Sequence, residues 1–212
     1  DVRKAVLGFA RGTAPGPTSL RAQHLADALK STGGGRFLEQ LTAMVQLLIR
    51  GEAPREVAPF LAGAALTAPL SEESLEQWQW LMQLNVTSVF QVCQAVLPGL
   101  RVQGGGLIVS ISSHAARSAF PGWGAYCTSK AAVQALTRCF AEDERQHGIR
   151  LSTLTLGAVD TPLWDTPTVQ ADFDRCAMLP VAKVADTLLH IAQQPPQLLL
   201  EDITLMPAAG AL

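Results

Sequence analysis

Tyrosine is almost missing from this chain: Tyr126 is the single example in 212 residues. Charge is sparse as well, at 16% Asp, Glu, Lys and Arg, and 16 basic against 18 acidic residues leave a net charge of -2. So balanced a sequence lacks the basic footprint that nucleic-acid binding requires. No apolar run approaches the roughly 18 residues of a membrane helix, which predicts a soluble protein without membrane contact. A basic and apolar leader is also missing, and Asp1-Val2-Arg3-Lys4 reads as an excerpt from a longer protein. The four cysteines, Cys93, Cys127, Cys139 and Cys176, form no Cys-x-x-Cys pair. That excludes a zinc ribbon, argues against a disulfide framework and fits a reducing, cytoplasmic setting. His24, His114, His147 and His190 offer no His-x-x-x-His pair, so no metal site is expected.

What is present is apolar residue, 48% of the chain, enough to bury a full core. Two textures divide it. Residues 1–66 carry helical patterns between turn-formers such as Gly12-Thr13-Ala14-Pro15-Gly16-Pro17 and Gly33-Gly34-Gly35. From Ser71 onward, helix and strand patterns alternate. Ser74 and Gln77 form a capping-box signature opening a helix from Leu75 to about Leu97. Leu107 to Ile111 is an apolar run of buried-strand type, preceded by Gly104-Gly105-Gly106, which reads as a flexible connector. Tyr126 to about His147 predicts a long helix stopped by Gly148, with Asp143 and Glu144 on its solvated end. Ile149–Leu156 reads as a strand, Val181 to about Gln193 as a helix and Ile203–Met206 as a last strand. This alternation predicts an α/β fold: a Rossmann-like, three-layer parallel sheet behind a mainly helical segment.

Tyr126 and Lys130 stand four residues apart at the start of a helix, so both side chains leave one face. An ammonium beside a phenol favours the phenolate and is expected to lower a pKa that is near 10 in water. The tyrosine would then donate or accept a proton near neutral pH. Ser113 ends the preceding strand, with twelve residues between it and Tyr126. Ligands of parallel sheets bind beyond the carboxyl ends of the strands, where this hydroxyl and phenol could polarise one carbonyl together. His114 follows Ser113, but neither an aspartate at triad spacing nor a Gly-x-Ser-x-Gly elbow supports a hydrolase.

The stretch Leu107-Ile108-Val109-Ser110-Ile111-Ser112-Ser113, continued by Gly124-Ala125-Tyr126-Cys127-Thr128-Ser129-Lys130, resembles the short-chain dehydrogenase/reductase family. Leu84-Asn85-Val86 is similar to the family helix that bears its fourth catalytic residue. Gly157-Ala158-Val159-Asp160-Thr161 is similar to its Pro-Gly-x-Val-x-Thr turn, with Leu156 in place of the proline. The resemblance spans about residues 67–212. It implies an NAD(P)-dependent oxidoreductase acting on a small carbonyl or alcohol, with Tyr126 as proton donor or acceptor. It also implies that Lys130 lowers the tyrosine pKa and holds the nicotinamide ribose. Ser113 would orient the carbonyl, and Asn85 would serve a water-linked proton relay through a kink in its helix. Gly157, Val159 and Thr161 would hold the nicotinamide. Helices 75–97 and 126–147 would carry a homo-oligomer interface.

The resemblance implies one segment that this chain does not contain. Family members open with a strand and a Thr-Gly-x-x-x-Gly-x-Gly turn at a helix N-terminus, where pyrophosphate binds. Gly33-Gly34-Gly35 follows a helix pattern and Gly104-Gly105-Gly106 precedes a strand, so neither triplet has the required order. Leu61-Ala62-Gly63 stands where the family has Asn-Ala-Gly. Residues 12–25 and 41–66 are instead similar to reverse-transcriptase-like retroelement proteins, ending before any polymerase carboxylate. Two units are therefore expected: residues 1–66, and residues 67–212 as a dehydrogenase domain lacking its first nucleotide-binding unit. The rival expectation is a catalytically silent fusion or remnant that keeps self-associating helices.

Overall fold

The structure, a computed structural model, describes residues 64–169, 171 and 173–211. The expectations for residues 1–63, among them the retroelement-like stretch, Gly33-Gly34-Gly35 and Leu61-Ala62-Gly63, lie outside those residues.

Helix α1 (Leu75–Met82) opens with the expected capping box: the Gln77 amide donates to Ser74 Oγ at 3.2 Å and the Ser74 amide to Gln77 Oε1 at 3.0 Å. It passes through a π-helical segment, Gln83–Thr87, into α2 (Ser88–Gln103). The helix thus runs past the expected end at Leu97 and straight through Pro98. Proline forfeits one hydrogen bond, but its fixed φ suits a helix. The stop is Gly104, left-handed at φ 83°, whose amide caps the Arg101 carbonyl. Gly104 and Gly105 are therefore not a flexible connector. A Cβ on Gly105 would stand 2.8 Å from the Gly148 carbonyl oxygen, so two glycine turns pack backbone to backbone.

Strand β1 (Gly106–Ser113) leads to α3 (Gly124–Glu144), β2 (Ile149–Leu156), α4 (Val181–Ala192) and β3 (Asp202–Leu205). All pairings are parallel in the order β1-β2-β3, with Ser113 opposite Leu156 and Leu156 opposite Leu205. The predicted parallel α/β architecture is what the chain adopts. Helices cover both faces. Cys93 and Leu97 of α2 and Ala141 of α3 pack with Leu151 on one side, while Val184 and Ile191 of α4 meet Leu154 on the other.

The α3 side of the sheet also carries a buried polar layer. Thr137 and Ser110 share a 2.8 Å hydrogen bond, and Gln134 Nε2 donates to Thr155 Oγ1 at 3.0 Å. Small paired hydroxyls let α3 sit close to the strands without stranding polar groups. At the far end of α3, Glu144 is not solvated as expected. Its side chain is only 2% exposed and is held bidentately by Arg101 of α2, which keeps its carboxyl below the usual pKa range. Asp143 is exposed, as expected.

Candidate active site

The carboxyl ends of β1 and β2 bring Ser113 and Gly157 to one edge of the sheet. Gly157 is pinned there: its amide donates to the Leu205 carbonyl at 2.9 Å, and a Cβ would stand 2.6 Å from Pro207 Cδ. Tyr126 lies in the first turn of α3, and the Ser113 side chain is near enough to its phenol to favour the phenolate. Lys130, one turn further on, is 5% exposed, and its Nζ lies 5.6 Å from the centre of the tyrosine ring. Three of the predicted residues thus converge.

Their electrostatics differ from the expectation in one respect. Burial pushes the Tyr126 phenol up to about 12, outweighing the Ser113 side chain, which acts in the opposite direction. The same cause pushes the Lys130 ammonium down to about 8. The lysine therefore does not bring the tyrosine below its ordinary value. Taking both groups out of water costs more than their mutual attraction returns, so the resting pair is a neutral phenol beside an ammonium that is readily deprotonated. Lys130 Nζ makes one long hydrogen bond, 3.4 Å to the Ile111 carbonyl. An ammonium can donate three, so the spare donors suit a pair of adjacent hydroxyls.

Asn85 is buried within the π-helical segment, the kink the resemblance implied. Its amide group is fully engaged. Oδ1 accepts from the Ala64 amide and Nδ2 donates to the Ala64 carbonyl, both at 2.8 Å, while Nδ2 also donates to Ser129 Oγ at 3.0 Å. Ser129 Oγ in turn donates to the Tyr126 carbonyl at 2.8 Å. The side chain is therefore a clamp joining the segment before α1 to the helix that carries the tyrosine. Spacing alone gives Ser129 no role, because its partner Asn85 lies 44 residues away.

Beyond Gly157, Val159 pairs with Leu179 in an isolated parallel bridge that closes the base of the excursion between them. Thr161 begins that excursion, and its carbonyl accepts from Arg175 at 3.1 Å. Arg175 also donates to Asp160 at 2.6 Å and to Asp165 at 3.0 Å, tying the loop to its own root. Trp164, which sequence reasoning passed over, donates from Nε1 to the Val159 carbonyl at 2.7 Å. Cys127 donates to the Ser118 carbonyl at 3.6 Å and faces no base. Among the described residues no group of three or more His, Cys, Asp and Glu is arranged to hold a metal.

A strand end bearing serine, a helix bearing Tyr-x-x-x-Lys and a parallel sheet between helices define a class of oxidoreductase. The family model described as short chain dehydrogenase matches residues 50–171, more than half of the chain, and the chain belongs to that family. The 2-(R)-hydroxypropyl-CoM dehydrogenase of Xanthobacter autotrophicus is 37% identical over 62% of this chain and 54% of its own length. The D-threitol dehydrogenase of Mycolicibacterium smegmatis is 36% identical over 50% of this chain and 42% of its own. The chain thus spans about half the length of these curated relatives. In structure it is similar to a gluconate 5-dehydrogenase from Burkholderia cenocepacia, solved with NADP and tartrate, at TM-score 0.62 and 26% identity. That match covers 69% of this chain and 61% of the other.

Proposed function

We propose that this chain carries the carbonyl and nicotinamide half of an NAD(P)-dependent oxidoreductase site acting on a small carbonyl or alcohol. The observation that carries the reading is the convergence of Ser113, Tyr126 and Lys130 at one sheet edge. A bound nicotinamide supplies or accepts the hydride. Tyr126, a neutral phenol at rest, delivers the proton to the substrate oxygen during reduction. Ser113 orients that oxygen. Lys130 holds the ribose hydroxyls with its spare donors, and backbone groups at Gly157 and Val159 with the Thr161 hydroxyl hold the nicotinamide ring.

The test is NAD(P)H oxidation at millimolar cofactor with a panel of carbonyls. Tyr126→Phe keeps the ring and removes the proton, so the rate should fall on the order of 100-fold or more, the contribution of a general acid. Ser113→Ala should cost less. A folded Tyr126→Phe protein of unchanged rate would remove the proposed proton donor.

The silent, self-associating reading is favoured by one observation: Trp80, Phe90 and Val92 on α1 and α2 are large apolar side chains about 40% exposed, and Phe90 stacks on Phe140 of α3. Both readings allow self-association through these helices, so a dinucleotide titration separates them: a silent chain would neither bind nor oxidise NAD(P)H.

A further inference from the structure

Four rings run outward from the proton donor. Trp123 meets Tyr126 edge-on, with ring centres 5.6 Å apart; Trp164 lies 6.0 Å from Trp123; and Phe173 meets Trp164 edge-on at 5.2 Å. The rings come from two separate parts of the chain, the turn before α3 and the excursion between Val159 and Leu179. Each ring is only half-buried, so each keeps surface to offer. The Trp164 donor is already spent on Val159, which leaves its indole presenting apolar faces alone. The arginines of the flanking loops are spent too: Arg175 on Asp160 and Asp165, Arg117 on Asp202 and Thr204. No cation of these loops remains unpaired to greet an anionic substrate. What packs outward from the Tyr126 ring is an aromatic wall, and the loop that supplies Trp164 and Phe173 is fastened at its root by Arg175.

We propose that Trp164, backed by Trp123 and Phe173, determines substrate choice, and that the site takes a ketone or secondary alcohol bearing a flat apolar ring. The inference rests on the function proposed above. The polar locus fixes the oxygen, and the ring beside it lies against the indole, an arrangement that gains both apolar burial and aromatic pairing. A polyol would leave its hydroxyls unpaired against this wall, and a carboxylate would find only Lys130, whose donors the ribose takes.

The experiment is ligand-observed NMR titration of the full chain with 1-phenylethanol, erythritol and lactate, which needs no cofactor and no turnover. The expected result is saturable binding of 1-phenylethanol alone. Trp164→Ala should weaken it about tenfold, and Trp164→Phe should restore most of the affinity, since a ring remains. Phe173→Ala, which leaves the bond to Val159 intact, should weaken it in the same direction. Circular dichroism confirms the fold of each variant. Erythritol or lactate binding as tightly as 1-phenylethanol, no binding of 1-phenylethanol, or unchanged affinity in folded Trp164→Ala and Phe173→Ala would each overturn the proposal. Tyr126→Phe should abolish turnover yet keep the preference for 1-phenylethanol over erythritol and lactate, so the proton donor is tested separately from the wall.

Discussion

Lys130 is the residue whose surroundings say most about how the site is built. Its folded pKa lies near 8 against 10.5 for the ordinary ammonium, so folding disfavours its charge. The resulting destabilisation is present below pH 8, fades as pH rises, and is gone above 10.5, where the unfolded chain also holds the neutral amine. Lys130→Met removes that term. Urea unfolding from pH 7 to 10 should show the variant gaining on the parent most at pH 7, by up to roughly 3 kcal/mol, with the gain shrinking towards pH 10. A pH-independent difference would mean that the ammonium is hydrated. Tyr126 acts at the other end of the scale: its phenol, raised to about 12, favours the native state until pH climbs through 10. On the proposed mechanism, a neutral phenol would serve reduction across pH 6 to 9. Alcohol oxidation needs the phenolate, so its rate should climb with pH over the same range. Ser113, Tyr126 and Lys130 stood out as candidates through the motif they share with the family, but the direction of the tyrosine shift could not be read from it. It depends on how much of the fold closes over the pair, which no spacing of four residues records.

Among the elements, the π-helical turn between α1 and α2 is what aims the site. Asn85 there bonds both backbone groups of Ala64 and, through Ser129, the helix of Tyr126. Asn85→Leu would leave the Ala64 amide and carbonyl buried and unpaired, costing on the order of 3 kcal/mol. Thermal unfolding measures this, and a melting point equal to the parent's would show that the clamp carries no load. Two glycines give a sharper contrast. A Cβ on Gly157 meets the ring of Pro207, which has no freedom to move, whereas one on Gly124 meets Leu70, a half-exposed leucine that can turn away. Gly157→Ala should therefore destabilise by about 1–3 kcal/mol and Gly124→Ala by much less. Strand and helix order was legible because β1 holds an apolar run, α1 opens on a capping box and Gly148 stops α3. The burial of Glu144 was not, since its partner Arg101 lies 43 residues away. The packing of Gly105 against Gly148 was hidden for the same reason.

At the scale of the whole molecule, on the proposed function β1 to β3 and the helices around them supply the reacting end of a dinucleotide site, while the sequence shows no Thr-Gly-x-x-x-Gly-x-Gly turn. Intact NADPH should consequently bind this chain in the millimolar range, about -4 kcal/mol, because the pyrophosphate contributes much of a dinucleotide's affinity. Calorimetry at micromolar affinity would mean that residues 1–63 provide another phosphate site. The path of the excursion that carries Trp164 could not be read from sequence, since its base is closed by the Val159–Leu179 bridge and tied by Arg175 to Asp160. The most direct test of the account is saturation-transfer NMR with nicotinamide mononucleotide and, separately, adenosine monophosphate. The account predicts saturation of the nicotinamide and ribose protons of the first, its loss in Lys130→Met, and none on the adenine protons of the second. Equal saturation of both ligands, or a nicotinamide signal untouched by Lys130→Met, would contradict it.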